Sequence, residues 1–173
     1  ECQAKVYRAE NTTEAREKLL KEVTYSLEEG RLRFAAHDKS IKLQAIIRVP
    51  DNRYEELKIR LFNGAITGEN VKVDTVMTKT GNGQIQFTDL NAREAEFETV
   101  NGVVNLKGFD VGELEVETMN GAIQIHGGFR KGDFQTINGS IQCEQTGRYG
   151  EMIRAKASAG SINLQIPANT GCD

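Results

Sequence analysis

The chain has 173 residues, with 22 Lys and Arg against 25 Asp and Glu and a formal net charge of −3 at pH 7. This length suits one domain, and the slightly negative charge does not favour nucleic acid or an anionic membrane surface as a partner. No apolar run approaches the roughly 20 residues of a transmembrane helix, and no basic segment followed by an apolar one opens the chain, so we expect no membrane span in it.

A short helix is predicted near the start of the chain, at residues 13–22. Asn11 and Glu14 form a capping pair, because the Asn side chain accepts from an early helical N–H while Glu14 reaches back to the cap. Apolar residues then recur at helical spacing, which predicts a stripe that packs against the protein. This stripe consists of Ala15, Leu19, Leu20 and Val23.

A β-hairpin and a further strand are predicted after the helix. Apolar and polar residues alternate on both sides of the turn at residues 28–31, and again over residues 41–49 until Pro50 removes a ladder donor. A stack of repeats needs its end covered, because a bare terminal coil offers unpaired backbone groups to other chains. We assign residues 1–55 to a small N-terminal α/β cap, continuous with the repeats of residues 56–173 in one structural domain.

The repeats are marked by a glycine turn. Successive turn glycines are separated by 19, 19, 19, 18 and 21 residues, the differences between positions 64, 83, 102, 121, 139 and 160. Such a fixed short period is typical of solenoids. The turns are Asn63-Gly64, Asn82-Gly83, Asn101-Gly102, Asn120-Gly121, Asn138-Gly139 and Ala159-Gly160. We predict a positive φ at these glycines, and asparagine tolerates the left-handed region beside them.

Inward rows of side chains follow from the same numbering. Residues two and four after each glycine share one strand face, as do residues five and three before it. The rows after the glycine are Ile66, Ile85, Val104, Ile123, Ile141 and Ile162, and Gly68, Phe87, Leu106, Ile125, Cys143 and Leu164. The rows before it are Ile59, Thr78, Phe97, Val116, Phe134 and Ala155, and Leu61, Thr80, Thr99, Thr118, Thr136 and Ala157. An apolar plug at the return of the chain comprises Val71, Leu90, Phe109 and Phe129.

These patterns predict an all-β fold. Each coil is a strand, a turn, a second strand and a return segment, and it is too short to bury its apolar rows alone. Stacking the coils at about 4.8 Å buries them and aligns equivalent side chains into ladders. We expect a β-solenoid or β-roll, similar to a single-stranded β-helix, of about six coils with 18–21 residues each.

One outward face carries an acidic patch, formed by Glu96, Glu98, Glu115, Glu117 and Asp133. These carboxylates lie six or four residues before successive glycines, and basic residues end the same columns. Like charges one strand apart repel, so the patch costs stability unless a cation or solvent screens it. A solvated face is the simplest interpretation. A calcium or cationic-ligand site is the alternative, but a flat ladder does not provide the roughly six to eight converging ligands of calcium.

Other candidate sites are weaker. An outward amide row could bind sugar hydroxyls, although stacked amides also stabilise one another without a ligand and the row lacks aromatic residues. It consists of Thr67, Gln86, Asn105, Gln124, Gln142 and Asn163. The cysteines and histidines have no metal-site spacing, and no nucleophile or phosphate-loop motif occurs. The cysteines and histidines are Cys2, Cys143, Cys172, His37 and His126. The sequence therefore predicts no catalytic, cofactor-binding or metal-binding residue.

Several stretches resemble a known bacterial family. They are Ile47-Arg48-Val49-Pro50, Leu57-Lys58-Ile59, Asn63-Gly64-Ala65-Ile66, Phe97-Glu98-Thr99-Val100-Asn101-Gly102 and Val116-Glu117-Thr118-Met119-Asn120-Gly121. With these motifs, residues 41–166 resemble the bacterial β-strand-repeat domains of unknown function that are often labelled adhesins. The resemblance implies an envelope-associated β-solenoid, linked in some Gram-positive relatives to envelope stress. It implies no catalytic residue.

The resulting hypothesis is a non-enzymatic binding scaffold or stress-sensing domain at the cell envelope or outside the cell. An envelope protein, peptide or glycan is the expected partner, with end-to-end self-association as a further expectation. One alternative is a β-helix polysaccharide lyase or hydrolase that uses the acidic patch together with Lys79. A purely structural spacer is the second alternative, and the cytoplasm is the alternative location. We expect no cofactor.

Overall fold

The computed structural model describes residues 2–6, 13, 23–28, 31–36, 41–45, 53–146 and 150–167. Almost all of them lie in β-strands. In chain order these are β1 (Cys2–Val6), β2 (Val23–Glu28), β3 (Arg31–Ala36), β4 (Ile41–Ala45), β5 (Tyr54–Asn63), β6 (Ile66–Asn82), β7 (Ile85–Asn101), β8 (Val104–Asn120), β9 (Ile123–Asn138), β10 (Ile141–Gln145), β11 (Met152–Ala159) and β12 (Ile162–Gln165).

The first four strands form two small antiparallel pairs. β2 pairs with β3, and Tyr25 lies opposite Phe34, which confirms the predicted hairpin. β4 matches the beginning of the strand predicted at residues 41–49, and it pairs with β1, which the sequence did not predict. Thr13 is helical, but the rest of the predicted helix lies outside the described residues. The capping role of residues 1–55 stays a prediction.

The remaining strands form one parallel sheet that winds into a β-solenoid. The sheet order is β12-β10-β9-β8-β7-β6-β5, and β11 also pairs with β9. Equivalent residues of successive coils are neighbours, so that Ile85 faces Ile66 on one side and Val104 on the other. This arrangement confirms the predicted fold class, including the register that the glycine spacing gave.

The central strands are longer than predicted. β6, β7 and β8 have 17 residues each and β9 has 16, so each contains the segment predicted as a separate return. Left-handed φ values of 52°, 55° and 60° occur within these segments at Asn70, Asp89 and Gly108. Gly108 is also the extra residue where the register of β8 shifts against β9. That shift accommodates the one coil whose glycine spacing is 18 residues.

The predicted inward rows form the core in the middle coils. Phe87, Phe97 and Phe134 are fully buried, and the ring centroids of Phe87 and Phe97 lie 5.0 Å apart. Burying one such side chain contributes about 2–3 kcal/mol before entropy is counted. At Gly68 in the first coil, the Phe87 ring occupies the place of the missing side chain.

The last coil departs from the predicted pattern. Ile162 and Leu164 are 43% and 40% exposed, whereas their equivalents one coil earlier, Ile141 and Cys143, are 0% and 3% exposed. Both residues lie in the predicted rows, since Ile162 pairs with Ile141 and Leu164 with Cys143, but the prediction that stacking buries these rows is wrong for the last coil. The physical reason is that no coil among the described residues stacks on β12.

Contacts between coils explain the glycine turns. Only Gly64 and Gly160, at the two ends, have the expected positive φ, at 144° and 148°, so that prediction is wrong for the four glycines between them. A Cβ atom on Gly102 would overlap the backbone carbonyl oxygen of Gly83 in the preceding coil. The same overlap exists at Gly83, Gly121, Gly139 and Gly160. Glycine is required here because adjacent backbones approach too closely for a side chain.

Two ladders of side-chain hydrogen bonds support these turns. Asn101 Nδ2 donates to Asn82 Oδ1 at 2.7 Å, and the ladder runs through all five asparagines from Asn138 to Asn63. The buried Thr99 hydroxyl donates to the Gly83 carbonyl oxygen at 3.1 Å. Thr80, Thr118 and Thr136 repeat this bond. The working unit of the repeat is therefore Thr-x-Asn-Gly.

Candidate functional site

The sheet brings the five predicted carboxylates together on one outward face, which we call the acidic face. Glu115 of β8 lies between Glu96 of β7 and Asp133 of β9, and Glu98 lies beside Glu117. Alternation along each strand points these side chains outward, because the residues between them are buried in the core. The stacking predicted from the sequence is therefore correct for all five.

Lys79 neutralises one end of the acidic face. Its ammonium group lies 2.6 Å from Glu96 Oε1 and 2.7 Å from Glu98 Oε2. Hydrogen bonds to these two carboxylates raise the pKa of Lys79 above its usual value. At the other end Arg154 is the strand neighbour of Asp133, and Lys156 is the neighbour of Gln135. Among the described residues, neither Glu115 nor Glu117 forms an ion pair.

Glu115 lies in the middle of this face, between Glu96 and Asp133. Desolvation raises its pKa, and repulsion from the carboxylates of Glu117, Glu96 and Asp133 raises it further. The positive charge of Lys79 lowers the pKa of Glu115, but this contribution is the smallest of those named. The negative charge in the middle of the acidic face is therefore uncompensated within the described part of the chain.

A shallow groove of about 300 Å³ runs beside Glu115 where the outward face continues toward the start of each strand. Glu94 and Glu113 line this groove together with Lys131, the strand neighbour of Glu113, whose ammonium lies 2.8 Å from Glu113 Oε1. This hydrogen bond lowers the pKa of Glu113. No three His, Cys, Asp or Glu side chains within the described residues converge to hold a metal ion. The geometry here resembles a charged ladder more than a calcium cage.

The amide row is aligned as predicted, because its members are neighbours near the start of β6, β7, β8, β9, β10 and β12. Asn105 Nδ2 donates to Gln124 Oε1 at 3.1 Å, and a shallow groove of about 310 Å³ lies along this part of the row. Beside it, His126 Nδ1 lies 2.9 Å from Glu144 Oε2. The nearby Cys143 is buried, and burial raises the pKa of its thiol to about 12, so the reactive thiolate is scarce at neutral pH.

The sequence analysis missed an exposed apolar row beside the acidic face. Val100, Met119 and Ile137 stand between the threonine and the asparagine of three successive Thr-x-Asn-Gly units. They are 38%, 47% and 47% exposed. We call these three residues the apolar ridge. Val100 and Met119 follow Glu98 and Glu117 by two residues, and alternation along a strand then places them on the same outward face.

A family model matches residues 7–173 of the chain. The chain belongs to the Toastrack DUF4097 family. The match confirms the resemblance to bacterial repeat domains of unknown function, and it extends past residues 41–166 to include most of the predicted N-terminal cap. The positions that make this Toastrack domain repetitive are the Thr-x-Asn-Gly turns described above.

A curated relative of this Toastrack domain is the uncharacterized protein YvlB of Bacillus subtilis (strain 168). The two are 39% identical over 167 residues, which cover 96% of this chain and 46% of YvlB. The Toastrack domain thus spans about half of that relative. No solved structure is significantly similar to this Toastrack domain. Its described residues contain no helix with the length and apolar character that crossing a membrane requires.

The raised pKa of Glu115 predicts a pH-dependent effect on the stability of the Toastrack domain. Because folding raises this pKa, the contribution of Glu115 to stability is fully present below its unfolded pKa of about 4.3 and is lost as the pH rises through the folded pKa. We expect Glu115→Gln to raise the melting temperature at pH 7 by a small amount, limited by solvent screening, and to leave it unchanged near pH 3.5. Thermal melting followed by circular dichroism at both pH values measures this.

Glu113→Gln is the matched control in the same strand. The pKa of Glu113 is lowered by Lys131, so its contribution is present above its unfolded pKa and is lost as the pH falls through the folded pKa. We expect this variant to melt at a lower temperature than the wild type at pH 7. The interpretation of the acidic face is contradicted if both variants shift in the same direction at pH 7.

Proposed function

We propose that this Toastrack domain is a non-enzymatic binding scaffold of the bacterial cell envelope. The observation that supports it is the acidic face, a ladder of five carboxylates on a regular sheet in which Lys79 pairs with Glu96 and Glu98. Parallel strands with aligned backbone hydrogen bonds hold these groups in a fixed pattern. A fixed, uncompensated charge pattern favours recognition of a partner with complementary charge.

The envelope address is proposed from the resemblance to envelope-associated repeat domains. An exposed solenoid presents long columns of equivalent side chains, which suits extended contact with a protein, peptide or glycan. Fractionation of cells that carry the native, full-length protein tests the address. We expect it in the envelope or secreted fraction, and recovery in the cytoplasmic fraction alone contradicts this part of the proposal.

The enzyme alternative has less support from the geometry. General acid and base pairs need separated pKa values, which enzymes obtain by placing two carboxyls in different surroundings within a cleft. Glu96, Glu98 and Asp133 are only half-buried on an outward sheet face beside a shallow groove. Incubation with acidic polysaccharides, with and without calcium, tests this alternative. We expect no depolymerised product, and product formation that Glu115→Gln abolishes overturns the non-enzymatic assignment.

A capture experiment tests the scaffold itself against the spacer alternative. The immobilised Toastrack domain is exposed to envelope extract beside a variant in which the acidic face is neutralised. The changes are Glu96→Gln, Glu98→Gln, Glu115→Gln, Glu117→Gln and Asp133→Asn. A control variant carries Glu69→Gln and Asp110→Asn, two exposed acidic residues outside the acidic face.

We expect the wild type and the control variant to enrich the same envelope components, and the neutralised variant to lose at least nine-tenths of them. Added salt should weaken capture by the wild type, because exposed charges are screened over about 10 Å at 0.1 M ionic strength. Equal recovery with all three proteins contradicts a binding role for the acidic face and favours the structural spacer.

A further inference from the structure

The apolar ridge is an exposed feature of the outward sheet face. β7, β8 and β9 place Val100, Met119 and Ile137 side by side, because the residues flanking them pair in register. These positions tolerate polar residues in the same architecture, as Ser158 occupies the equivalent site in β11. Three apolar side chains in consecutive coils therefore form one contiguous, partly exposed row, which makes this row a candidate interaction surface.

The acidic face adjoins this ridge along every strand. In β8, Glu117 and Glu115 precede Met119 by two and four residues, so the three side chains point outward in one line. Neither carboxylate forms an ion pair among the described residues, whereas Lys79 holds Glu96 and Glu98. A complementary partner therefore has an apolar stripe with positive charges on one flank.

The spacing of the ridge distinguishes a helix from an extended strand as that partner. Neighbouring coils are about 4.8 Å apart, and the three coils of the ridge span about 10 Å. In an α-helix, residues three or four apart rise by about 4.5–6 Å, and two turns rise by about 11 Å. Alternate residues of an extended strand lie about 6.6–6.8 Å apart and fall out of step with the coils.

We propose that the apolar ridge binds an amphipathic helix of a partner protein, whose apolar stripe is flanked by Lys or Arg on the side that faces Glu115 and Glu117. The helix lies along the solenoid axis, and its residues at positions i, i+3 or i+4, and i+7 contact Val100, Met119 and Ile137 in turn. Its basic flank supplies the cations that the acidic face lacks. This inference rests on the proposed binding function and specifies its partner.

A designed peptide tests the inference. The probe is an 18-residue amidated helix with leucine at the stripe positions and lysine elsewhere, labelled for fluorescence anisotropy. One control peptide has the same composition in scrambled order, which keeps the charge and removes the stripe, and a second replaces every lysine with glutamate. We expect the scrambled peptide to bind at least tenfold more weakly than the probe, and the glutamate peptide not to bind.

Protein variants locate the site. The ridge variant carries Val100→Ser, Met119→Ser and Ile137→Ser, and the charge variant carries Glu115→Gln and Glu117→Gln. A control carries Gln86→Ala and Gln124→Ala in the exposed amide row of the second strand. We expect at least tenfold weaker probe binding by both the ridge and charge variants, a flatter salt dependence for the charge variant, and unchanged binding by the control. Circular dichroism confirms that each variant is folded.

The outcomes separate this inference from the proposed function. Equal binding of the probe and the scrambled peptide, or wild-type affinity in the ridge variant, overturns the helix site. If the wild type captures envelope components but does not bind the probe, the helix inference fails and the binding scaffold stands. If neither the probe nor any envelope component binds, both proposals are overturned.

Discussion

Replacing Gly102 with alanine is expected to lower the melting temperature of the domain substantially. The new Cβ would overlap the Gly83 carbonyl oxygen, which already accepts the Thr99 hydroxyl at 3.1 Å. Gly83 N also donates to the Asn101 carbonyl at 3.0 Å, so the two coils are joined on both sides of the overlap. Forced separation of such packed backbones costs about 3 kcal/mol. That cost corresponds to a melting temperature about 6–12 °C lower.

The control for this prediction is the next residue of the same turn. Val103 is half-buried, and its position is occupied by alanine at residues 65 and 122. Val103→Ala removes atoms without touching the neighbouring backbone, so we expect a shift of less than about 2 °C from the surface-substitution range. Circular dichroism melts of the two variants measure the difference. Equal melting temperatures for Gly102→Ala and the wild type would show that the coils separate without cost.

The overlap at Gly102 explains why the sequence predicted the fold correctly but the φ angles of the turn glycines incorrectly. The dihedral preference of an Asn-Gly pair is a property of two residues, and it led to a positive φ that the four inner glycines do not have. The close approach of Gly83 and Gly102 is a property of two coils, which only stacking creates. Left-handed residues occur instead within the long strands, at Asn70, Asp89 and Gly108, where no sequence motif indicated them.

The fold class was predictable because its signal is redundant. The glycine period fixes which residues are neighbours, and alternation then fixes which of them point inward, so Ile85 and Phe97 could be placed in the core from position alone. The two cues agree in each of the middle coils. They place Ile162 in the correct row but overestimate its burial, because the repeat pattern assumes a coil on both sides of every strand.

The candidate site was predictable in composition and unpredictable in its pairing. The register placed Glu96 beside Glu115, but it could not decide how a flexible lysine divides its contacts among several carboxylates. In the structure the Lys79 ammonium contacts both Glu96 and Glu98. The pKa of Glu115 stays raised by desolvation and by repulsion from the neighbouring carboxylates. The apolar ridge was predictable in position, because Met119 follows the outward Glu117 by two residues on the same strand face.

Two identical substitutions in neighbouring inward rows are expected to change stability in opposite directions. Thr78 and Thr99 are both buried, at 0% and 2% exposure. Among the described residues the Thr78 hydroxyl has no hydrogen-bond partner, whereas the Thr99 hydroxyl donates to the Gly83 carbonyl oxygen. Thr78→Val removes an unsatisfied polar group, and we expect it to raise the free energy of unfolding by about 1–3 kcal/mol. Thr99→Val removes a satisfied one and is expected to lower it by about 1 kcal/mol.

The comparison is sharp because valine and threonine have nearly the same shape and both favour β-strands, so propensity and packing largely cancel between the two variants. Urea unfolding of each variant beside the wild type measures the two free energies. Val116, two coils after Thr78 in the same inward row, shows that this row accepts valine in full burial. Destabilisation by both substitutions would mean that the Thr78 hydroxyl has a partner in solution. Opposite signs would show that hydrogen bonds to the turn glycines, and not hydroxyls in the core as such, stabilise the stack.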